Sequence, residues 1–244
     1  MGELICVLSG KGGTGKTSVC AGVATALAQL GEKVLCIDCD VGLRNLDIVL
    51  GLSEYGSLSF VDVAQGSYDL DAVTCHPQYP NLYFLTAPVD REASQVEPAA
   101  FAAMLGRARQ EFAYVLLDAP AGVGTGFVLT AKAVDRIILV TGPDPAAIRD
   151  AGRTAELLEL MGKTDVRLIV NRVNKKLLAA TSLTVDDIMD KAGLPLLGIL
   201  PEDPNVQLAA VFETPLLTYT RRGAAAACRR IAKRIQGYSV PVKL

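Results

Sequence analysis

No apolar run in this sequence approaches the roughly 18 uninterrupted residues of a membrane-spanning helix. The start, Met1-Gly2-Glu3-Leu4, has no basic lead into a long apolar stretch of the signal-peptide kind. A cytoplasmic chain is therefore expected. Tryptophan is missing, aromatic residues make up 5 % of the chain, and His76 is the single histidine. His76 lies beside Pro77 in a loop-like stretch and reads as a surface residue without partners. Neither sign of charge dominates: 24 basic residues against 26 acidic ones leave a net −2, which disfavours a generally basic nucleic-acid binder but leaves room for a local patch.

The six cysteines, at positions 6, 20, 36, 39, 75 and 228, are scattered among apolar neighbours. That pattern fits reduced, buried thiols rather than a disulfide framework. Cys36 and Cys39 have the spacing of a metal or redox pair, but along a strand over Lys33 to Asp38 an odd separation sends them to opposite faces. Repeats, low-complexity tracts and Pro/Gly/Ser-rich linkers are also missing. The 244 residues, half of them apolar, read as one domain over 1–237 with a short tail, 238–244.

What is present is an alternation. Leu4 to Ser9, Val34 to Asp38, Leu82 to Ala87, Tyr114 to Asp118, Arg136 to Thr141, Val166 to Asn171 and Leu196 to Leu200 read as strands. Residues 16–30, 98–110, 145–161 and 184–192 read as helices. Such an order predicts an α/β domain with a mainly parallel, twisted sheet, helices on both faces, and functional loops at the carboxyl edge.

At the first strand–helix junction stands Gly10-Lys11-Gly12-Gly13-Thr14-Gly15-Lys16-Thr17-Ser18, a phosphate-binding loop. Its glycines let backbone N–H groups face a polyphosphate, Lys16 reaches the β and γ phosphates, and Thr17 offers a hydroxyl to Mg²⁺. A helix N-terminus beneath adds a favourable field. Lys11 is a second lysine that such a loop does not need; by spacing alone it is either a solvated side chain or a residue of special function.

Polyphosphate hydrolysis also needs a metal site and a positioned water. Asp38 and Asp40, two apart at a strand end beside the loop, point the same way. One can organise metal-bound water and the other the attacking water; alternatively, either caps the next segment or pairs with a lysine. Asp118, closing the apolar run Val115-Leu116-Leu117, is placed as a Walker B aspartate reaching Mg²⁺ through water.

The segments GKGGTGKTS, IDCDVGLRNLD, DAPAGVGTGF, NRVNKK and GILPEDPNV resemble, in the same order and over essentially the whole chain, those of the MinD/ParA family of P-loop ATPases with the deviant Walker A loop. DVGLRNLD is the most specific of them and is similar to the septum-site-determining branch. The resemblance implies an Mg²⁺-dependent ATPase that forms an ATP-dependent homodimer. Lys11 then acts across the dimer on the partner's phosphates, and Asp40 polarises the attacking water. Asn171, followed by Arg172, stands where the family reads the adenine edge, although Asn is also a common strand-end turn residue. Pro201, Glu202 and Asp203 stand where the backbone packs on the base. Regulators of the MinC and MinE type, a role in division-site placement and a peripheral position at the inner face of the cell membrane are implied as well.

The chain departs from that pattern at its end. Residues 222–236 are amphipathic, but the apolar side, Ala224, Cys228, Ile231 and Ile235, is built mostly from small residues, so the helix reads as core-facing and membrane attachment as weak. Gly124 also replaces an acidic residue common in relatives. Two related roles compete with division-site placement. A ParA-type partition ATPase would hold DNA through Arg221, Arg222, Arg229, Arg230, Lys233 and Arg234, against which the acidic total and DVGLRNLD weigh, so that no specific nucleic acid is expected. A flagellar-placement ATPase is the other. An iron–sulfur carrier resembling the nitrogenase iron protein is disfavoured, because no cysteine lies between Asp118 and Thr130.

Overall fold

β1, Glu3–Leu8, runs through the centre of the molecule with Ile5 to Leu8 shielded from solvent. A strand of Leu, Ile, Cys and Val buried on both sides belongs in a parallel sheet covered on two faces. The structure, a computed structural model, describes residues 1–41, 44–88 and 96–243. Gly42 and Leu43 of the DVGLRNLD segment, and Leu244 of the tail, lie outside the described residues.

Among the described residues the sheet has eight strands. Besides β1 they are β2 Val34–Asp38, β3 Thr74–His76, β4 Tyr79–Leu85, β5 Tyr114–Asp118, β6 Arg136–Thr141, β7 Val166–Val173 and β8 Leu196–Pro201. Their order is β3-β4-β2-β5-β1-β6-β7-β8, parallel throughout except where β3 meets β4. The expected α/β architecture is thus present.

The helices are α1 Lys16–Gln29, α2 Leu46–Leu50, α3 Phe60–Ala64, α4 Pro98–Glu111, α5 Thr125–Lys132, α6 Pro145–Leu160, α7 Lys175–Thr181, α8 Val185–Ala192, α9 Pro204–Val211, α10 Leu216–Tyr219 and α11 Gly223–Ile235. Alternation along β1 divides the core. Ile5 and Val7 face α1, α2 and α11, whereas Leu4, Cys6 and Leu8 face α3, α4, α5, α6 and α8. Cys36 and Cys39 fall into these two separate cores, as their odd spacing requires.

α1 is buried almost all round because α11 covers the side away from the sheet, with Gly22 against Cys228; a Cβ on Gly22 would stand 2.6 Å from the Cys228 sulfur. Ala224, Cys228, Ile231 and Ile235 are buried in this packing. The following tail folds back along the same helix: Arg234 donates to the Val240 and Leu197 carbonyls, and Arg230 donates to Lys243 O at 2.9 Å. No helix among the described residues is long and apolar enough to cross a membrane.

Two expectations are corrected. His76 is not on the surface: it ends β3 and is 2 % exposed, with Nε2 at 2.8 Å from the Leu50 carbonyl and Nδ1 accepting the Gln78 N–H. Both ring nitrogens are used, and the ring meets Tyr79 edge-on, so the imidazole ties the end of α2 to the β3–β4 turn. Cys75 is exposed rather than buried, because neighbouring residues of a strand point to opposite faces and His76 takes the inner one.

Candidate functional site

β1 ends at Leu8 in the middle of the sheet, and the chain turns there over the carboxyl edge. Gly10 packs against α6 so closely that a Cβ would lie 2.7 Å from the Asp150 carbonyl oxygen. Gly13 and Gly15 have φ of 81° and 84°, the left-handed region where glycine carries no Cβ penalty. α1 then starts at Lys16. The Thr14 hydroxyl is buried and has no hydrogen-bond partner, which leaves the loop with an unmet polar group of the kind a bound anion or water satisfies.

Beneath the loop, Lys16 Nζ lies 2.5 Å from Asp118 Oδ1, and both side chains are almost fully shielded. Burial works against the ammonium, but the Asp118 carboxylate outweighs it and holds Lys16 above the ordinary lysine pKa. Lys16 Nζ also donates to the Thr17 hydroxyl, at 3.4 Å. Across the sheet, Asp38 on β2 is the register partner of Asp118 on β5. Burial first, then repulsion from Asp118, pushes the Asp38 carboxyl up to about 6 despite its backbone donors.

Those donors give Asp38 a definite task. Its Oδ1 accepts the Asp40 N–H at 2.9 Å, and its Oδ2 accepts the N–H groups of Asn45 and Leu46, both at 3.1 Å. Asp38 therefore ties the segment carrying Asp40 to the start of α2, the capping alternative raised by the sequence. Asp40 is half-buried; its carboxyl is pushed up by burial and drawn partly back by the charge of Lys16. Asp40 is the carboxylate of the pair that remains near the phosphate lysine without being spent on a cap.

Lys11 is disposed differently from Lys16. Its ammonium is partly exposed and meets Asp144 Oδ1 at 3.0 Å. Asp144 is the N-cap of α6, accepting the Ala147 N–H at 2.9 Å. The sequence reading missed Asp144, although Asp before Pro145 at a helix start is a recognisable cap signal.

At the other end of the loop lies a cleft of about 440 Å³, lined by Gly15, Ser18, Asn171, Arg172, Pro201, Glu202 and Asp203. These expected base-end residues are thus brought together, with Val19, Gln207 and Leu216 as lining residues the sequence reading did not name. Glu202 is held by Asn174 Nδ2 at 2.9 Å, and Asp203 caps both α9 and α11 through the N–H groups of Asn205 and Ala224.

The donor set fits Mg²⁺. Thr17, Asp38 and Asp118 carry the hard oxygens that would serve such an ion, Asp38 with both oxygens already accepting backbone N–H groups, and no group of three or more His, Cys, Asp or Glu that could hold a metal is present among the described residues. An ion held chiefly by phosphate oxygens, water and one or two protein oxygens needs no such cage.

A phosphate loop leading into a helix N-terminus, with aspartates on the two strands beyond it and a cleft at its other end, defines a P-loop nucleotide-binding domain. The profile of the CobQ/CobB/MinD/ParA nucleotide binding domain matches residues 5–216, and the chain belongs to that family. It is 37 % identical to the septum site-determining protein MinD of Bacillus subtilis over 100 % of this chain and 92 % of the relative. Its fold superposes with a TM-score of 0.91 on MinD from the MinC:MinD complex of Aquifex aeolicus, at 34 % identity over 99 % of this chain and 98 % of that one. MinD of Pyrococcus horikoshii, solved with Mg-ADP, superposes with a TM-score of 0.85 at 28 % identity over 96 % of each chain.

Proposed function

We propose that this chain is an ATP-driven dimerisation switch of the MinD kind that serves placement of the division septum and hydrolyses ATP slowly to ADP and phosphate with Mg²⁺. The observation that carries this reading is the contrast between the two lysines of one loop: Lys16 is buried against Asp118, whereas Lys11 is partly exposed and paired with Asp144. A lysine that serves the loop's own phosphates belongs inside. One that serves a second copy must be able to leave.

In the proposed cycle Lys16 exchanges Asp118 for the β and γ phosphates; Thr17 and Asp118 would hold Mg²⁺, with Asp38 organising its bound water. The ion neutralises phosphate charge when bound. Asp40 orients the attacking water and Lys11 crosses to the phosphates of the second copy. Asn171, Arg172 and the backbone of Pro201 to Asp203 receive the adenine. Nucleotide binding energy then serves to shift the monomer–dimer population.

A MinC-type regulator is the partner the reading favours, since a MinD so similar in fold was solved in a MinC:MinD complex. MinE-type regulation and a peripheral place at the membrane belong to the same reading. Membrane attachment through residues 222–243 is weak, because the apolar side of α11 is spent on the core. DNA partition is less favoured: the net charge is −2, and Arg229, Arg230 and Arg234 keep their charge but already spend donors on Gln29 and chain carbonyls.

Phosphate release measured with Mg·ATP over a range of protein concentrations tests the reading. A site completed by a second copy gives specific activity that rises with concentration. Activity that stays flat down to concentrations where the chain is monomeric would overturn it.

A further inference from the structure

β7 and β8 lose register beside the phosphate loop. Val170 stands opposite Ile199 and Val173 opposite Pro201, so three steps on β7 answer two on β8. The extra residue falls at Asn171-Arg172, and Arg172 has φ of 55°. Such bulges re-aim side chains. Here Asn171 Nδ2 donates to the Thr14 carbonyl at 2.8 Å, while Oδ1 accepts the Arg172 N–H at 2.9 Å. Asn171 is 8 % exposed, and a Cβ on Gly15 would stand 2.4 Å from its Nδ2, so the amide fills the space that glycine leaves open.

We infer that Asn171 is a positioning residue for the phosphate loop, presetting the Thr14–Gly15 peptide for phosphate independently of any base. In a trans peptide the C=O and the following N–H point in opposite directions. Holding the Thr14 carbonyl toward β7 therefore fixes the Gly15 N–H on the other side, immediately before Lys16. An Asn amide has two donor hydrogens and two acceptor lone pairs. One of each is spent on the chain itself, and one donor and one acceptor remain for the adenine edge. Loop positioning and base reading thus use different halves of one amide. The inference rests on the nucleotide-binding reading of this cleft.

The test titrates the full-length chain calorimetrically with ATP and with inorganic tripolyphosphate, which has no base, both with Mg²⁺. The variants are Asn171→Ala and Asn171→Leu; the latter is nearly isosteric and uncharged, so it removes the donor to the Thr14 carbonyl without placing a carboxylate beside the phosphates. Tripolyphosphate affinity should fall by about three- to tenfold in both, the worth of one buried hydrogen bond, with stoichiometry unchanged. A fold defect in the alanine variant would lower the stoichiometry, and the leucine variant then carries the test. Weaker ATP binding with unaltered tripolyphosphate binding would overturn the inference and leave Asn171 a base reader alone. A wild-type chain that binds ATP but not tripolyphosphate would overturn it too, because the loop would not be preset. If the wild type binds neither, the nucleotide reading itself fails.

Discussion

Lys16 and Asp118 form a closed ion pair on the floor of the phosphate loop, with Nζ 2.5 Å from Oδ1. The lysine proposed to serve phosphate is thus neutralised within the chain, and in that proposal nucleotide binding exchanges one anionic partner for another. With Mg²⁺ bound, Asp118 would help to hold the ion and Lys16 would be free for the phosphates. Chelating Mg²⁺ should therefore weaken ATP binding at least about tenfold, a difference of ~1.4 kcal/mol. Asp118→Asn should bind ATP more tightly than the wild type in chelator and gain little when Mg²⁺ is restored. Titration with a fluorescent ATP analogue reads both; an Mg²⁺ dependence equal to that of the wild type would refute the exchange.

Lys16→Ala should reduce ATP affinity roughly a hundredfold, the scale of charge-assisted hydrogen bonds to phosphate. It should also lower the melting temperature, since stranding the buried Asp118 carboxylate costs about 3–5 kcal/mol. Lys11→Ala should do neither, because its exposed pair with Asp144 is worth at most about 1 kcal/mol. Equal loss of ATP affinity in the two variants would contradict the division of labour between the lysines.

Asp40→Ala should retain ATP and dimerise while failing to hydrolyse it, since the phosphate contacts survive when the water-orienting carboxylate goes. Hydrolysis by this variant at the wild-type rate would remove Asp40 from the mechanism and return attention to Asp38.

His76 makes stability depend on pH. Burial lowers its pKa from the ordinary 6.5, with the Leu50 carbonyl acting in the opposite sense. A ring kept neutral in the fold contributes stability that is complete above 6.5 and is lost as pH falls through and below that value, because the unfolded chain takes up the proton first. Replacing His76 by Gln should cost about 1–2 kcal/mol at pH 7.5 through the lost ring contacts. The gap in denaturant midpoint between the two proteins should narrow toward pH 5.5. A constant gap would show that His76 does not titrate between fold and unfolded chain.

The parts of this architecture legible in the sequence were those set by local pattern. β2, β5 and β6 coincide with their apolar runs, and α1 begins at Lys16 and stops before Gly31, because period and punctuation are written residue by residue. Long-range partners were not legible. β3 has three residues and pairs only with β4, so Thr74–His76 carries no periodic signal, and the burial of His76 depends on α2 lying against it. Likewise Asp38 and Asp40 were readable as a pair, but which of them caps the next segment depends on how the chain turns after β2. The bulge that aims Asn171 at Thr14 exists only as a mismatch between two strands, which neither strand encodes alone.

The most direct test of the central claim is the solution mass with Mg·ATP and with Mg·ADP, measured by light scattering for the wild type, Asp40→Ala and Lys11→Ala. ATP should take Asp40→Ala from the 25.7 kDa of one chain to twice that value, and the wild type transiently so, while ADP leaves both at one chain. Lys11→Ala should stay at one chain with either nucleotide. Asp40→Ala remaining at the mass of one chain with ATP bound, or Lys11→Ala doubling as Asp40→Ala does, would contradict an ATP-driven dimerisation switch built on Lys11.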